Sequence, residues 1–184
     1  MAIKSQIDNR NFLSPVGFKF ILTRTPKVSF FANTANIPSL SMGNAVQTTY
    51  LKDIPVPGDK IEYGDFTLRF IVDENLENYM QIHKWIRGLG YPEALKEFFD
   101  LQNEDELGRP KRESIGMDIY SEGTLQVLNS NYRPQFNVVF RDMFPVDLSA
   151  LDFDATNNDI EYFTAEVTFK YTIYNIEDTE GNRI

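Results

Sequence analysis

The chain has 184 residues, with 18 Lys and Arg against 27 Asp and Glu, for a net charge of −9. That length supports one good core in one domain, and the acidic balance argues against a protein that grips phosphates. No cysteine is present, which excludes disulfides and thiolate metal sites, and no apolar run approaches the ~20 residues of a membrane helix.

Residues 1–14 carry little hydrophobic pattern and read as an arm, ordered by whatever receives it. They begin Met-Ala-Ile-Lys-Ser-Gln-Ile-Asp, without the apolar centre of a signal peptide. The expectation is a soluble protein made in the cytoplasm, with no membrane partner. Val16, Phe18, Phe20 and Leu22 alternate and predict a first strand ending near Thr25-Pro26. Val28, Phe30 and Ala32 predict a second strand running toward Ile37-Pro38, with Thr23–Lys27 as the turn.

Ser39 to Pro57 has strand-forming residues but no clear core face of its own. It is either an exposed loop or a strand whose second face is covered by a neighbouring subunit. Pro55 and Pro57 exclude a central strand. From Lys60 to Val72 the apolar phase shifts: Ile61 and Tyr63 lie at odd positions, Phe66, Leu68, Phe70 and Val72 at even ones. The switch at Gly64-Asp65 predicts a β-bulge or a turn.

The period then changes to that of a helix near 75–88, with Leu76, Tyr79, Met80, His83 and Ile86 or Arg87 in one stripe. Leu76, Tyr79, Met80 and Ile86 should face the sheet. Trp85 lies off that stripe and is expected to dock on a partner. Asp73 or Asn75 supplies the cap, and Gly88-Leu-Gly90 should stop the helix. A shorter second helix fits 92–102, with Pro92 in its first turn. Asn103 to Ser114 sets acidic beside basic residues, as a surface loop does.

Gly116–Ser121 and Thr124–Leu128 predict a hairpin around Glu122-Gly123. A strand at Phe136–Phe140 leads to a corner at Phe144-Pro145 and a turn-rich stretch, Asp154–Asp159. One long last strand is then predicted, with Phe163, Ala165, Val167, Phe169, Tyr171 and Ile173 on its dry face. The fold class is therefore mainly β. Its core should include Phe18, Phe20, Phe66, Leu68, Phe70, Phe136, Val138, Phe140, Val167, Phe169 and Tyr171.

Chemistry is hard to build from these residues. His83 is the sole histidine, and no nucleophile elbow, metal-ligand cluster or phosphate loop surrounds it. Asp147, Asp152 and Asp154 serve either as carboxylates of a glycosidase or as turn and cap residues. No catalytic residue, cofactor or metal is expected. Lys19, Arg69, Arg141 and Lys170 fall on wet strand faces, where they would discourage edge pairing.

The order of these motifs is itself informative. Ala35-Asn-Ile-Pro38 precedes Val56-Pro-Gly-Asp59, then the strand Phe66–Val72, the Asp73–Tyr79 helix start and Trp85. Later come Phe136–Phe140, Phe144-Pro145, Val146–Phe153, an Asn157-Asn158-Asp159 turn and a strand of alternating aromatics. Over about residues 15–176 this order resembles the tail-tube proteins of contractile-tailed bacteriophages. The resemblance implies a β-barrel or sandwich of long antiparallel strands with a flanking helix, assembled in hexameric rings. Such rings stack into the tail tube of a virion, a conduit for DNA, or begin or end that tube at the baseplate or neck.

On this reading 15–176 is a single domain, with the arm 1–14 before it and a tail 177–184 after it. Its partners are further copies of itself, with sheath and baseplate proteins, and DNA only as passing cargo. Assembly would take place in the host cytoplasm. Met42, Val46, Thr48, Tyr50, Ile54 and Trp85 are the candidate subunit interface, joined by the arm and the 103–114 loop. Glu166, Thr168 and Lys170 are the candidate lining of the bore, where Lys170 would need a nearby carboxylate. A different class stays open: a monomeric β-rich binding module or a carbohydrate-active enzyme, separable by size from rings of a 21.3 kDa chain.

Overall fold

The fold is that of a computed structural model, which describes residues 13, 15, 17–25, 28, 29, 31–103, 119–153 and 162–184. It is mainly β, with nine strands and two helices in the described residues. The strands are β1 (Phe18–Leu22), β2 (Ala32–Ala35), β3 (Leu40–Gln47), β4 (Ile54–Tyr63), β5 (Phe66–Ile71), β6 (Ser121–Leu128), β7 (Pro134–Leu148), β8 (Thr164–Lys170) and β9 (Ile173–Asp178). Helix α1 spans Glu77–Gly90 and α2 spans Lys96–Asn103. The expected arm lies almost wholly outside the described residues, as do the 104–114 loop, Phe30 and the 154–159 turn.

Seven strands form one antiparallel sheet in the order β1-β6-β7-β8-β5-β2, with β9 also on β7. The first part of β7 pairs β6 and β9, and its last five residues pair β8. This change of partners folds the sheet into two facing layers. Phe20 on β1 therefore meets Phe66 on β5 at 5.0 Å between ring centroids, and Phe66 meets Phe140 at 4.7 Å. These tilted contacts are a favourable geometry for aromatic rings. Phe20, Phe66, Leu68, Phe70, Val138, Phe140, Val167 and Phe169 are buried as the alternation predicts, while Phe18, Phe136 and Tyr171 pack partly buried at the margin.

Several expectations are corrected. The corner of β7 is not at Pro145, which is buried within the strand opposite Phe169. It lies at Asp142, whose φ of 55° turns the chain where the β6 register shifts; Asp tolerates the left-handed region better than most residues. The predicted single last strand is two, broken at Tyr171-Thr172, where the Thr172 N–H donates to the Arg141 carbonyl. Its alternation survives the break because β8 and β9 line the same core from the two layers. β9 reaches Asp178, and the chain then folds back, with the Ile184 N–H on the Ile176 carbonyl. The Asn182 backbone N–H, aided by the Asn182 side chain, Glu180 and Gly181, holds the Asp178 carboxyl below its usual range.

No hairpin forms at Glu122-Gly123. Both sit inside β6, and Gly123 is there because a Cβ would run into Met143 and lie 3.3 Å from the Phe20 ring. Val28 and Ser29 form a helical turn, so the described second strand begins only at Ala32. Of the two alternatives at Gly64-Asp65, the structure has the turn between strands and not the bulge within one. It is the passage from β4, outside the main sheet, to β5 inside it.

Helix α1 turns a different stripe inward from the one predicted. Asn78, Ile82, Trp85 and Gly88 are buried, whereas Met80 is exposed, as is His83. Tyr79 and Ile86 pack at the edge of the core. The inward stripe escaped notice because it contains Asn78 and Gly88, which carry no hydrophobic signal. Gly88 does not stop the helix: a Cβ there would lie 2.8 Å from the Leu101 Cβ, so the glycine lets α2 approach. The helix ends at Gly90, within the Gly88–Gly90 stop that the sequence predicts, and Tyr91 caps it with φ 33° and its N–H on the Arg87 carbonyl.

Candidate functional site

Among the described residues, strands β3 and β4 pair only with each other, outside the main sheet. An isolated two-stranded hairpin has marginal stability in water, so its base must be held. Tyr63 packs edge-on against Tyr174 at 5.4 Å and against Tyr171 at 6.1 Å. The Tyr171 hydroxyl donates to the Gly64 carbonyl at 2.8 Å, and the Tyr174 hydroxyl to the Pro38 carbonyl at 3.3 Å. Burial, then the neighbouring Tyr174 and Asp65, push the Tyr171 hydroxyl well above its ordinary pKa, so it stays a donor.

Residues opposite one another in an antiparallel pair share a face. One face of the hairpin carries Leu40, Met42, Asn44 and Val46 with their partners Tyr63, Ile61, Pro57 and Pro55. The other carries Ser41 and Glu62 near the base but Ala45, Val56 and Ile54 toward the tip. Leu40, Met42, Val46 and Ile61 are each more than half exposed in the single chain. The hairpin thus has one mainly apolar face, interrupted at Asn44, and a second that becomes apolar only near its end. Between the two parts the register shifts at Gly43 and Gly58. A Cβ on Gly58 would lie 2.9 Å from the Gly43 carbonyl carbon, so the backbones cross where only glycine fits.

Of the candidate interface residues, Met42, Val46 and Ile54 lie on this hairpin, and Thr48 and Tyr50 lie in its loop, all exposed. Trp85 does not join them. It is buried in the chain's own core, its indole N–H donating to the Ile119 carbonyl at 3.0 Å and Arg24 lying over its ring. Leu40, Leu51, Val56 and Ile61 belong to the same exposed set and were missed. Asn44, a polar residue at the next even position, interrupts the alternation of Leu40, Met42 and Val46, which was the available signal.

The outer face of β5 and β8 holds the candidate lining residues. Glu166 and Lys170 are exposed and Thr168 is half-buried. Glu166 sits opposite Arg69, with their side chains 3.7 Å apart, and Lys170 pairs with Asp65. Arg69 and Lys170 are thus each offset by a carboxylate, and Asp147, opposite Thr168 on β7, adds a third acid to this face. Lys170 has the carboxylate that the sequence reading required. Of the candidate carboxylates, Asp147 lies in β7 opposite Thr168 and Asp152 is exposed beyond the strand, while Asp154 is outside the described residues.

Elsewhere, α1 and the end of β7 enclose a groove of about 520 Å³. Tyr79, His83 and Ile86 form one wall, Val146 and Leu148 the other. Arg87 at its rim is bound by Glu93 at 2.7 Å and Glu97 at 2.6 Å. Hydrogen bonds and charge from those two carboxylates hold the guanidinium's pKa above its ordinary value.

The described residues thus form a two-layer β domain with a flanking helix and an exposed hairpin outside the main sheet. Its fold is shared with components of contractile injection machines. A chain of the anti-feeding prophage tube-terminating cap aligns at a TM-score of 0.60 and 14% identity, over 97% of this chain and 100% of that one. A chain of the anti-feeding prophage baseplate aligns at 0.57 and 13%, over 97% and 99%. A chain of the sheath–tube complex of the PVC extracellular contractile injection system aligns at 0.56 and 15%, over 97% and 100%. At such identities these likenesses concern the fold. The sequence itself matches the family described as phage tail tube protein over residues 8–177, and the chain belongs to that family. Comparison with curated proteins finds no match. The protein is a structural component of a tube, and the family resemblance drawn from its motif order holds.

Proposed function

We propose that the chain assembles into closed hexameric rings that stack as the tail tube of a virion, around a bore that passes DNA. The observation that carries this is the β3–β4 hairpin, whose apolar side chains are exposed and, among the described residues, have no cover. Exposed apolar surface of that kind marks an interaction site. A ring of identical copies supplies cover to every hairpin by one repeated contact. The arm 1–14 and the 103–114 loop join the hairpin at the subunit boundary, around a single domain of residues 15–176. The outer face of β5 and β8, with Glu166, Thr168 and Lys170, lines the bore; its bases are paired and its net charge is acidic, which lets phosphates pass without capture.

The role is mechanical, without catalysis. Sheath and baseplate proteins are the further partners, and assembly takes place in the host cytoplasm. The same reading covers a ring that begins or ends the tube. Negative-stain imaging and gel filtration test it: the full chain should give rings or tubes, and a 44–52 deletion should remain a folded monomer. A full chain that stays a 21.3 kDa monomer at high concentration would favour a solitary binding module instead.

A further inference from the structure

We propose that the loop at the end of the hairpin, Thr48–Asp53, seats in the α1–β7 groove of a second copy of this chain. The inference rests on the ring-forming reading above and adds which surface receives which. The loop is shaped as a knob. Tyr50 is fully exposed and Leu51 is 91% exposed, two large apolar side chains side by side at the crown. Thr49 closes the turn beneath them, its Oγ1 accepting from the Lys52 N–H at 3.2 Å and donating to the Lys52 carbonyl. A loop already closed by its own hydrogen bonds loses little freedom on docking.

The knob stands at the end of a long arm. β4 has ten residues, roughly 30 Å at the rise of an extended strand. Because β3 and β4 pair, among the described residues, only with each other, this length carries the loop away from the sheet of its own chain.

The groove answers the knob in size, polarity and charge. Its volume of about 520 Å³ lies within the ~300–1,000 Å³ of cavities that enclose compact apolar groups. Ile86, Val146, Leu148 and the Tyr79 ring offer apolar walls to Tyr50 and Leu51. Asp147 on the same wall is an exposed carboxylate for Lys52, the residue that follows the knob. Residues 144–148 of β7 have β8 on one side and, among the described residues, no strand on the other. Their free edge runs beside the groove, where it can pair with an extended backbone.

Knob and groove are different patches of one molecule. Each copy therefore gives one and receives one, a head-to-tail contact that propagates into a ring or a stack.

The absence of cysteine makes the test clean. The full chain carrying Leu51→Cys together with His83→Cys should, on mild oxidation, give a ladder of disulfide-linked multimers beyond the dimer. Each single substitution should give dimers at most. Tyr50→Ser with Leu51→Ser should keep the fold and melting temperature, because both side chains already face solvent. It should raise the concentration needed for assembly by more than about tenfold. Rings that form without the ladder, or that form as readily with the serine pair, would overturn the knob-and-groove contact and leave the ring intact. An unaltered chain that forms no multimers would remove the ring reading and this contact with it.

Discussion

Asp73 and Asn78 exchange hydrogen bonds across the start of helix α1. The Asp73 N–H donates to Asn78 Oδ1 and the Asn78 N–H donates to Asp73 Oδ1, each at 3.3 Å. Asn78 also donates through Nδ2 to the Ile71 carbonyl and accepts from the Tyr79 N–H, both at 2.8 Å. Leu76 precedes the helix in the left-handed region without a side-chain cap of its own. A buried asparagine and a carboxylate five residues earlier therefore do the work of an N-cap, and they tie the helix to the end of β5. Asn78→Ala would leave the Ile71 carbonyl and the Asp73 N–H without these partners. The expected loss is about 1–3 kcal/mol in urea unfolding.

Gly123 works by its lack of a side chain. Gly123→Ala would push its methyl into Met143 and against Phe20, all within the buried core. The expected cost is about 1–3 kcal/mol. A double-mutant cycle with Met143→Leu should show coupling of about 0.5–3 kcal/mol, because the two side chains compete for one space. Additive losses in urea unfolding would mean that the clash is relieved elsewhere.

These two sites also show what was legible in the sequence and what was not. Alternating residues such as Phe66, Leu68 and Phe70, or Val167 and Phe169, point inward because their period of two states a face directly. The inward face of α1 was hidden because Asn78 and Gly88 are buried for hydrogen bonding and close approach, which hydrophobic periodicity does not register. The misreading of Trp85 as a docking residue followed from that shifted stripe. Phe144-Pro145 reads as a corner that follows the Phe136–Phe140 strand, whereas β7 bends at Asp142 and carries Pro145 in its interior. The exposure of the hairpin was legible in Ser39–Pro57, whose strand residues have no core face of their own. The groove was not legible, because α1 and β7 approach only through the fold.

Gly58 offers a way to damage the hairpin while sparing the body of the protein. Its Cα faces the Gly43 backbone, and a larger residue must push the two strands apart. The core residues lie in the other sheet, so the unfolding transition of Gly58→Val should match that of the unaltered chain. Gel filtration should nevertheless show multimers reduced or lost. Rings that form normally with Gly58→Val would mean that the register shift of the hairpin is not needed for assembly.

The charge pairing on the outer face of β5 and β8 gives a direct test of where that face points. Arg69 and Lys170 are offset there by Glu166 and Asp65. These ion pairs are about half exposed and contribute little to stability, so the charges can be altered without unfolding the domain. Asp65→Lys together with Glu166→Lys would leave only positive side chains among these four in every copy. If the face lines the bore, assembled tubes carrying both changes should retain short duplex DNA that nuclease cannot reach. The retention should weaken steeply as salt is raised, because each bound phosphate releases counterions. Unaltered tubes should retain none. DNA that binds the altered tubes but is digested freely would place the face on the outside of the tube. Altered tubes that bind no DNA at low salt would show that this face meets neither bore nor solvent in the assembly.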